Sequence, residues 1–303
     1  MAILQVYILS RDRPIFLKQA IDSVLNQKTL IEFELIISDN SEGIDVNKMI
    51  AKNYSKRKFK YSKVNPPLPA NDHFQLVVSK LNTEFAILLH DDDIVSSNYI
   101  KNMFQAINED NLVAVGCNAT IFKNNILDTK KNTHSFVKAK KFNNEKNFLS
   151  QYLPGNKGNA PYPSYIYRTK YLKKAFSNIP IQGKHSDVAM LSSLLHFGEI
   201  LWLEKKLMYY RVHNSNDSAT ESITDRIKLM NYMKKKGIDR NCINFVLFRV
   251  SFWIRWIGQQ SLSLENLKNL KFRKVLISIL LIILKLSYRL NFWLLIFQRY
   301  QKK

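Results

Sequence analysis

The sequence predicts an α/β fold in which a mostly parallel central sheet is flanked by helices, with a basic, amphipathic helical region towards the C-terminus. Three observations predict it. A strand, a helix and a second strand follow one another within the first 40 residues, which makes a βαβ unit with a right-handed crossover. Phe85 to Leu89 is an unbroken apolar run, as suits a strand buried on both faces of a parallel sheet. From Arg226 onward the chain turns strongly basic and, in two stretches, strongly apolar.

Leu4 to Leu9 reads as the first strand and not as a signal peptide, because no basic region precedes it and no small-residue cleavage site follows. Pro14 then opens a helix over Ile15 to Asn26, with Phe16, Leu17, Ala20, Ile21, Val24 and Leu25 at helical spacing. Phe33 to Ile37 is the second strand and runs out into Ser38, Asp39, Asn40 and Ser41. Asn65 to Pro69 is a stiff connector, after which Asn71 or Asp72 is placed to cap a helix carrying Phe74, Val77, Val78 and Leu81 on one side. The Phe85 strand comes next. A helix from about Asn98 to Ile107 and a strand at Leu112 to Gly116 continue the alternation. The polar, Lys- and Asn-rich stretch from Asn118 to Asn159 reads as hairpin or loop, with Lys123 to Asn159 a candidate for closing over a ligand. Ser186 to Phe197 reads as a helix with Asp187 in its first turn, and Ile200 to Leu203 and Leu207 to Tyr210 as short strands.

Charge sets limits on partners. Among 303 residues, 46 Lys and Arg stand against 24 Asp and Glu, a net charge of +22, which calls for an anionic partner such as nucleic acid, anionic lipid or a phosphorylated substrate. Residues 226–303 hold 17 of the basic residues against Asp239 and Glu265 alone, so most of the excess lies there. Within that region, Phe245 to Trp256 and Val275 to Phe297 are apolar but interrupted by Arg249, Arg255, Lys285 and Arg289. Ser278, Lys285 and Arg289 share one helical stripe, which fits a helix lying in a membrane interface; packing against the rest of the protein is the alternative. The two cysteines, Cys117 and Cys242, are far apart, outside any metal-ligand spacing.

The chemistry concentrates at Asp91, Asp92 and Asp93, which close the Phe85 strand after His90. In open α/β sheets ligands bind at the C-terminal ends of the strands. Three adjacent carboxylates raise one another's proton affinity unless a cation compensates, so a divalent metal is one reading; a helix N-terminus, where acids suit the dipole, is the other.

Four features stand in order: Asp12 after the first strand, Asp39 ending the second, the run of aspartates, and a later Ser186-Asp187-Val188 ahead of Tyr210, Arg211, Val212 and His213. Over about Leu4 to Ser218 this resembles a GT-A (Rossmann-like) glycosyltransferase of the large family 2, of the kind that builds bacterial surface polysaccharide. The resemblance implies a catalytic domain over residues 1–220, with a nucleotide-sugar half to about residue 117 and an acceptor half after it, and a membrane-associated region over 221–303. It implies donor contacts from Ser10, Asp12, Arg13, Asp39, Asn71, Asp91, Asp92 and Arg211, with Arg211 either holding phosphate or pairing an acid. It implies a Mn²⁺ or Mg²⁺ ion on Asp93 and His213, and Asp187 as the general base of an inverting transfer. The implied partners are a nucleotide-sugar donor of the UDP-sugar class, a lipid-linked saccharide acceptor and an anionic membrane surface, at the cytoplasmic face of the plasma membrane. The first loop reads Ser10, Arg11, Asp12, Arg13, where family members commonly carry Thr-x-Asn-Arg.

Two other classes fit less well. A nucleic-acid-binding protein would use the charge, but here the charge coincides with very apolar segments and suits a membrane better than a duplex. A nucleotidyltransferase would share the fold and the aspartates, yet no glycine-rich phosphate loop follows the first strand.

Overall fold

The computed structural model describes residues 2–56, 58–109, 111–123, 136–153, 158–179, 183–213, 222–239, 242 and 244–250. Of the apolar segments expected at residues 245–256 and 275–297 everything after residue 250, and of the candidate closing loop residues 124–135 and 154–157, lie outside them. Contacts divide the chain into two compact units, one formed by residues 1–151 and 157–236, the other by 152–156 and 237–303.

The first unit carries a sheet of nine strands among the described residues: β1 (Leu4–Ser10), β2 (Phe33–Asp39), β3 (Lys60–Lys63), β4 (Phe85–His90), β5 (Ile94–Val95), β6 (Leu112–Phe122), β7 (Lys140–Phe142), β8 (Ile166–Arg168) and β9 (Glu199–Arg211). The order is β3-β2-β1-β4-β8-β6-β9-β5, with β7 paired to β9. The first four are mutually parallel, β8 is antiparallel to both its neighbours, and β6 is again parallel to β9. This is the mostly parallel, helix-flanked α/β architecture that the sequence predicts. β1 is buried at every position and β4 at all but His90, so their apolar runs form the middle of the core.

In this unit eight helices flank the sheet among the described residues: α1 (Pro14–Leu25), α2 (Asp45–Asn53), α3 (Ala70–Lys80), α4 (Tyr99–Ile107), α5 (Glu145–Ser150), α6 (Thr169–Ser177), α7 (Ser186–Leu194) and α8 (Ile223–Lys235); in the second unit residues 244–250 are helical. α1 starts at Pro14, whose missing N–H costs nothing in a first turn, and buries Leu17, Ala20, Ile21 and Val24. α3 begins at Ala70 after Pro69 with no side-chain cap, so Asn71 and Asp72 sit inside its first turn and not at the cap expected of them. α8 belongs to this unit although it lies beyond residue 220.

The two short strands expected at 200–203 and 207–210 are one strand. β9 passes through Glu204, Lys205 and Lys206 by a register shift against β6 at Asn118. Asn118 is buried, and its Nδ2 donates to the carbonyl oxygens of Glu204 and Phe136 at 2.7 and 2.8 Å, satisfying the backbone that the irregularity frees. That continuity carries Arg211 to the same edge as the aspartates.

Candidate active site

Register brings the site together. Ser10 pairs with Asp39 across β1 and β2, and Leu9 with His90 across β1 and β4, so the residues that follow these strands emerge along one C-terminal edge. Asp91, Asp92 and Asp93 form a turn from the end of β4 to β5. All three are buried.

Each carboxylate is held differently. Asp91 accepts from Ser10 Oγ at 2.9 Å, from the Arg11 N–H at 2.9 Å and from Arg13 Nη1 at 3.2 Å. Burial nonetheless pushes its pKa up to about 6, against the pull of the Arg11 N–H and Arg13. Asp92 Oδ2 meets Arg13 Nη1 at 3.0 Å and His213 Nε2 at 2.9 Å. Burial works to raise the Asp92 pKa, but His90, His213 and Arg13 outweigh it and the pKa lies below the ordinary value. Asp93 Oδ1 accepts the backbone N–H of Arg211 at 3.0 Å, while its Oδ2 is buried without a hydrogen-bond partner. Burial first, and then the charge of Asp92, raises the Asp93 pKa well above the ordinary carboxylate value.

An orphaned carboxylate oxygen next to a second carboxylate is a site short of a cation. His90, Asp92 and Asp93 each offer one ligand atom, and these atoms lie within 4.8 Å of one another. Two carboxylates and one imidazole suit Mn²⁺ well and Mg²⁺ acceptably. The residues therefore fit a divalent metal. His90 is a member of this cluster that the motif order does not single out; its one signal in the sequence is a histidine adjoining the acids at a strand end. His213 touches Asp92 but is not one of the three clustered groups.

Arg211 is an internal brace. It is 2% exposed, its guanidinium lies 4.3 Å from the ring centroids of both Phe16 and Phe122, its Nε donates to the Asp92 carbonyl at 2.8 Å, and Nη2 donates to Gln19. These side-chain contacts are with rings, a backbone carbonyl and an amide; the acid Arg211 meets, Asp93, is bound by its backbone N–H. Gln19 has no sequence signature, since its role depends on the packing of α1 against the turn.

Around the first loop, Asp12 adopts a positive φ of 55°, with its N–H donating to Ser41 Oγ at 2.7 Å and its Oδ1 accepting from the Glu42 N–H at 3.1 Å. The loops after β1 and β2 are thereby tied together. Asp39 is fully buried, and it accepts from the Ser41 N–H at 2.9 Å, from Tyr61 at 2.7 Å and from Lys63 at 3.2 Å. Asn71 Oδ1 accepts from Ser186 Oγ at 3.1 Å, which joins the first turn of α3 to the first residue of α7. Asp187 is the next residue. It is half-buried, its Oδ1 accepts its neighbour's N–H from Val188 at 2.8 Å, and burial raises its pKa despite that bond and the nearby His185.

Residues 6–176 match the family described as Glycosyl transferase family 2. The chain belongs to that family. It is a glycosyltransferase that takes its sugar from a nucleotide-sugar donor. The fold is similar to that of S. aureus TarS 1-349 in complex with UDP-GlcNAc, with a TM-score of 0.61, 15% identity, and 92% of this chain against 79% of that one. A second structure, of S. aureus TarS, gives 0.58 at 15% identity, 91% of this chain covering 47% of that one. Both have the GT-A architecture. No curated protein matches the sequence.

Proposed function

We propose that the protein is a metal-dependent, inverting glycosyltransferase that moves a sugar from a UDP-sugar to a lipid-linked saccharide during surface-polysaccharide synthesis. The observation that carries the metal dependence is the cluster of His90, Asp92 and Asp93, whose ligand atoms lie within 4.8 Å of one another, together with the unpartnered, buried Oδ2 of Asp93. A Mn²⁺ or Mg²⁺ ion held there supplies positive charge to the leaving diphosphate. Ser10, Arg11 and Arg13 fix Asp91 and Asp92 in place, and Asp12 and Asp39 shape the pocket for base and ribose. The UDP moiety is supported by the nucleotides of the TarS complexes.

Asp187 takes the proton of the acceptor hydroxyl as it attacks the anomeric carbon. Its raised pKa makes it a stronger base than an exposed aspartate, and the Asn71–Ser186 bond sets the start of its helix. Single displacement inverts the anomeric centre. The peripheral, cytoplasmic membrane surface is supported by the basic, apolar sequence between residues 245 and 297. Among the described residues no helix is long and apolar enough to cross a membrane.

The test is calorimetric titration of UDP and of UDP-hexoses with and without Mn²⁺. Mn²⁺-dependent binding supports the reading; equal affinity after chelation removes the metal from it.

A further inference from the structure

Between the acidic turn and Asp187 stands a group of rings that neither the fold nor the proton transfer explains. Phe74 in α3 and Tyr162, in a 3₁₀ turn at Tyr162–Ser164, have centroids 5.7 Å apart. His90 lies 5.7 Å from Phe74 and 6.1 Å from Tyr162. The mutual tilts of 53° to 71° leave no pair stacked face to face. Phe74 and Tyr162 are both half-buried and neither belongs to the main hydrophobic cluster of the sheet.

Three features hold these rings in place. Ser164 Oγ accepts the Cys117 N–H at 3.3 Å, and a Cβ on Gly116 would come within 2.7 Å of the Tyr165 ring, so the turn docks on β6 only because residue 116 is glycine. Phe74 is one turn beyond Asn71, whose bond to Ser186 fixes α3 beside the residue preceding Asp187. His90 is fixed by its place at the end of β4. The negative charge of Asp187 reaches Tyr162 and, after burial, is the second cause raising that phenol's pKa.

Leaving apolar ring surface beside ionised groups is unfavourable unless something covers it. A pyranose does so: its axial C–H groups form an apolar face, while its hydroxyls stay free for polar neighbours. Such C–H contacts with the negative face of a ring are favourable. We propose that Phe74 and Tyr162 form the platform on which the donor's pyranose ring lies, between the diphosphate end at His90, Asp92 and Asp93 and the base at Asp187. The proposal rests on the glycosyltransfer reading above and adds the residues that grip the transferred sugar.

The test compares UDP with UDP-glucose, UDP-galactose and UDP-N-acetylglucosamine on the full chain with Mn²⁺, by calorimetry and saturation-transfer NMR. In wild type, saturation reaches the pyranose C–H protons as well as the uracil. Phe74→Leu, which keeps apolar volume, and Tyr162→Ala should leave UDP affinity within about twofold and weaken the preferred UDP-sugar about three- to tenfold. Pyranose saturation should fall while uracil saturation stays. Tyr162→Phe keeps the ring and should retain wild-type UDP-sugar affinity. UDP-sugar affinity and pyranose saturation unchanged in both Phe74→Leu and Tyr162→Ala would overturn the platform alone. A wild-type chain that binds UDP but gives no pyranose saturation would also overturn it, and one that binds neither UDP nor any UDP-sugar would overturn the donor reading with it.

Discussion

Replacing Asp93 by Asn should make the metal-free protein more stable while removing its response to metal. The side chain is 4% exposed, and only Oδ1 is engaged, by the Arg211 N–H at 3.0 Å. Asn keeps that acceptor, replaces the orphaned Oδ2 by an N–H₂ and removes the charge that the neighbouring Asp92 repels. A buried polar atom left without a partner costs about 1–3 kcal/mol, which is the stabilisation expected on repairing it. For a chain of this size each kcal/mol shifts Tm by about 2–4 °C, so Asp93→Asn should melt several degrees higher, and the gain should grow with pH because burial and Asp92 penalise the ionised form of Asp93. Mn²⁺ at a hundred times its Kd should stabilise the wild type by about 2.7 kcal/mol and the variant hardly at all. Calorimetric unfolding of both proteins, chelated and with Mn²⁺, reads all four quantities. A variant that melts below the chelated wild type, or one that gains as much from Mn²⁺, would refute the reasoning.

Asp187→Asn should leave UDP-sugar affinity near wild type and lower transfer about 10²- to 10⁴-fold, the usual contribution of a general base. Because burial raises the Asp187 pKa, and the base must be unprotonated to act, wild-type transfer should climb with pH through a midpoint above the ordinary carboxylate value; the Asn variant should lose that limb. Product NMR should show inversion. Arg211→Lys keeps the charge but loses the fork that reaches the Asp92 carbonyl and Gln19, so it should unfold about 1–3 kcal/mol more easily and bind Mn²⁺ more weakly. Wild-type stability with lost UDP affinity would instead make Arg211 a donor ligand. Deleting the chain after about Leu262 should release the protein from anionic liposomes in a pelleting assay, because the apolar and basic segment goes with it.

What the sequence revealed and what it hid divide along a physical line. Periodicity along one segment was enough for β1, α1, β4 and the placing of Asp187 in a first helical turn, because burial on one face or both writes itself into local order. Segments with little to bury were silent. α2 has only Val46 and Ile50 buried, with Met49 packed beside them, so its helical spacing extends over little more than one turn. β9 is broken on paper by Glu204, Lys205 and Lys206, and it is whole in the fold because Asn118, far away in the chain, takes up the mismatch. The same holds at the site: three aspartates in a row are visible, but the meeting of Asn71 with Ser186, Arg211 with Gln19, or Phe74 with Tyr162 depends on tertiary distance that no spacing encodes.

The acidic turn is clamped at both ends. His90 is the last β4 residue in register with β1, and Ile94 is already in register with Tyr209 of β9, so Asp91, Asp92 and Asp93 have almost no backbone freedom between two ladders. A loop that could relax would answer a crowded charge by swinging outward. This one can answer only by exchanging protons or ions. Its geometry is preorganised, so little reorganisation accompanies occupancy, and discrimination among cations is left to their size and charge density. Protons enter the same competition, since any that bind Asp93 take the oxygen a cation would use.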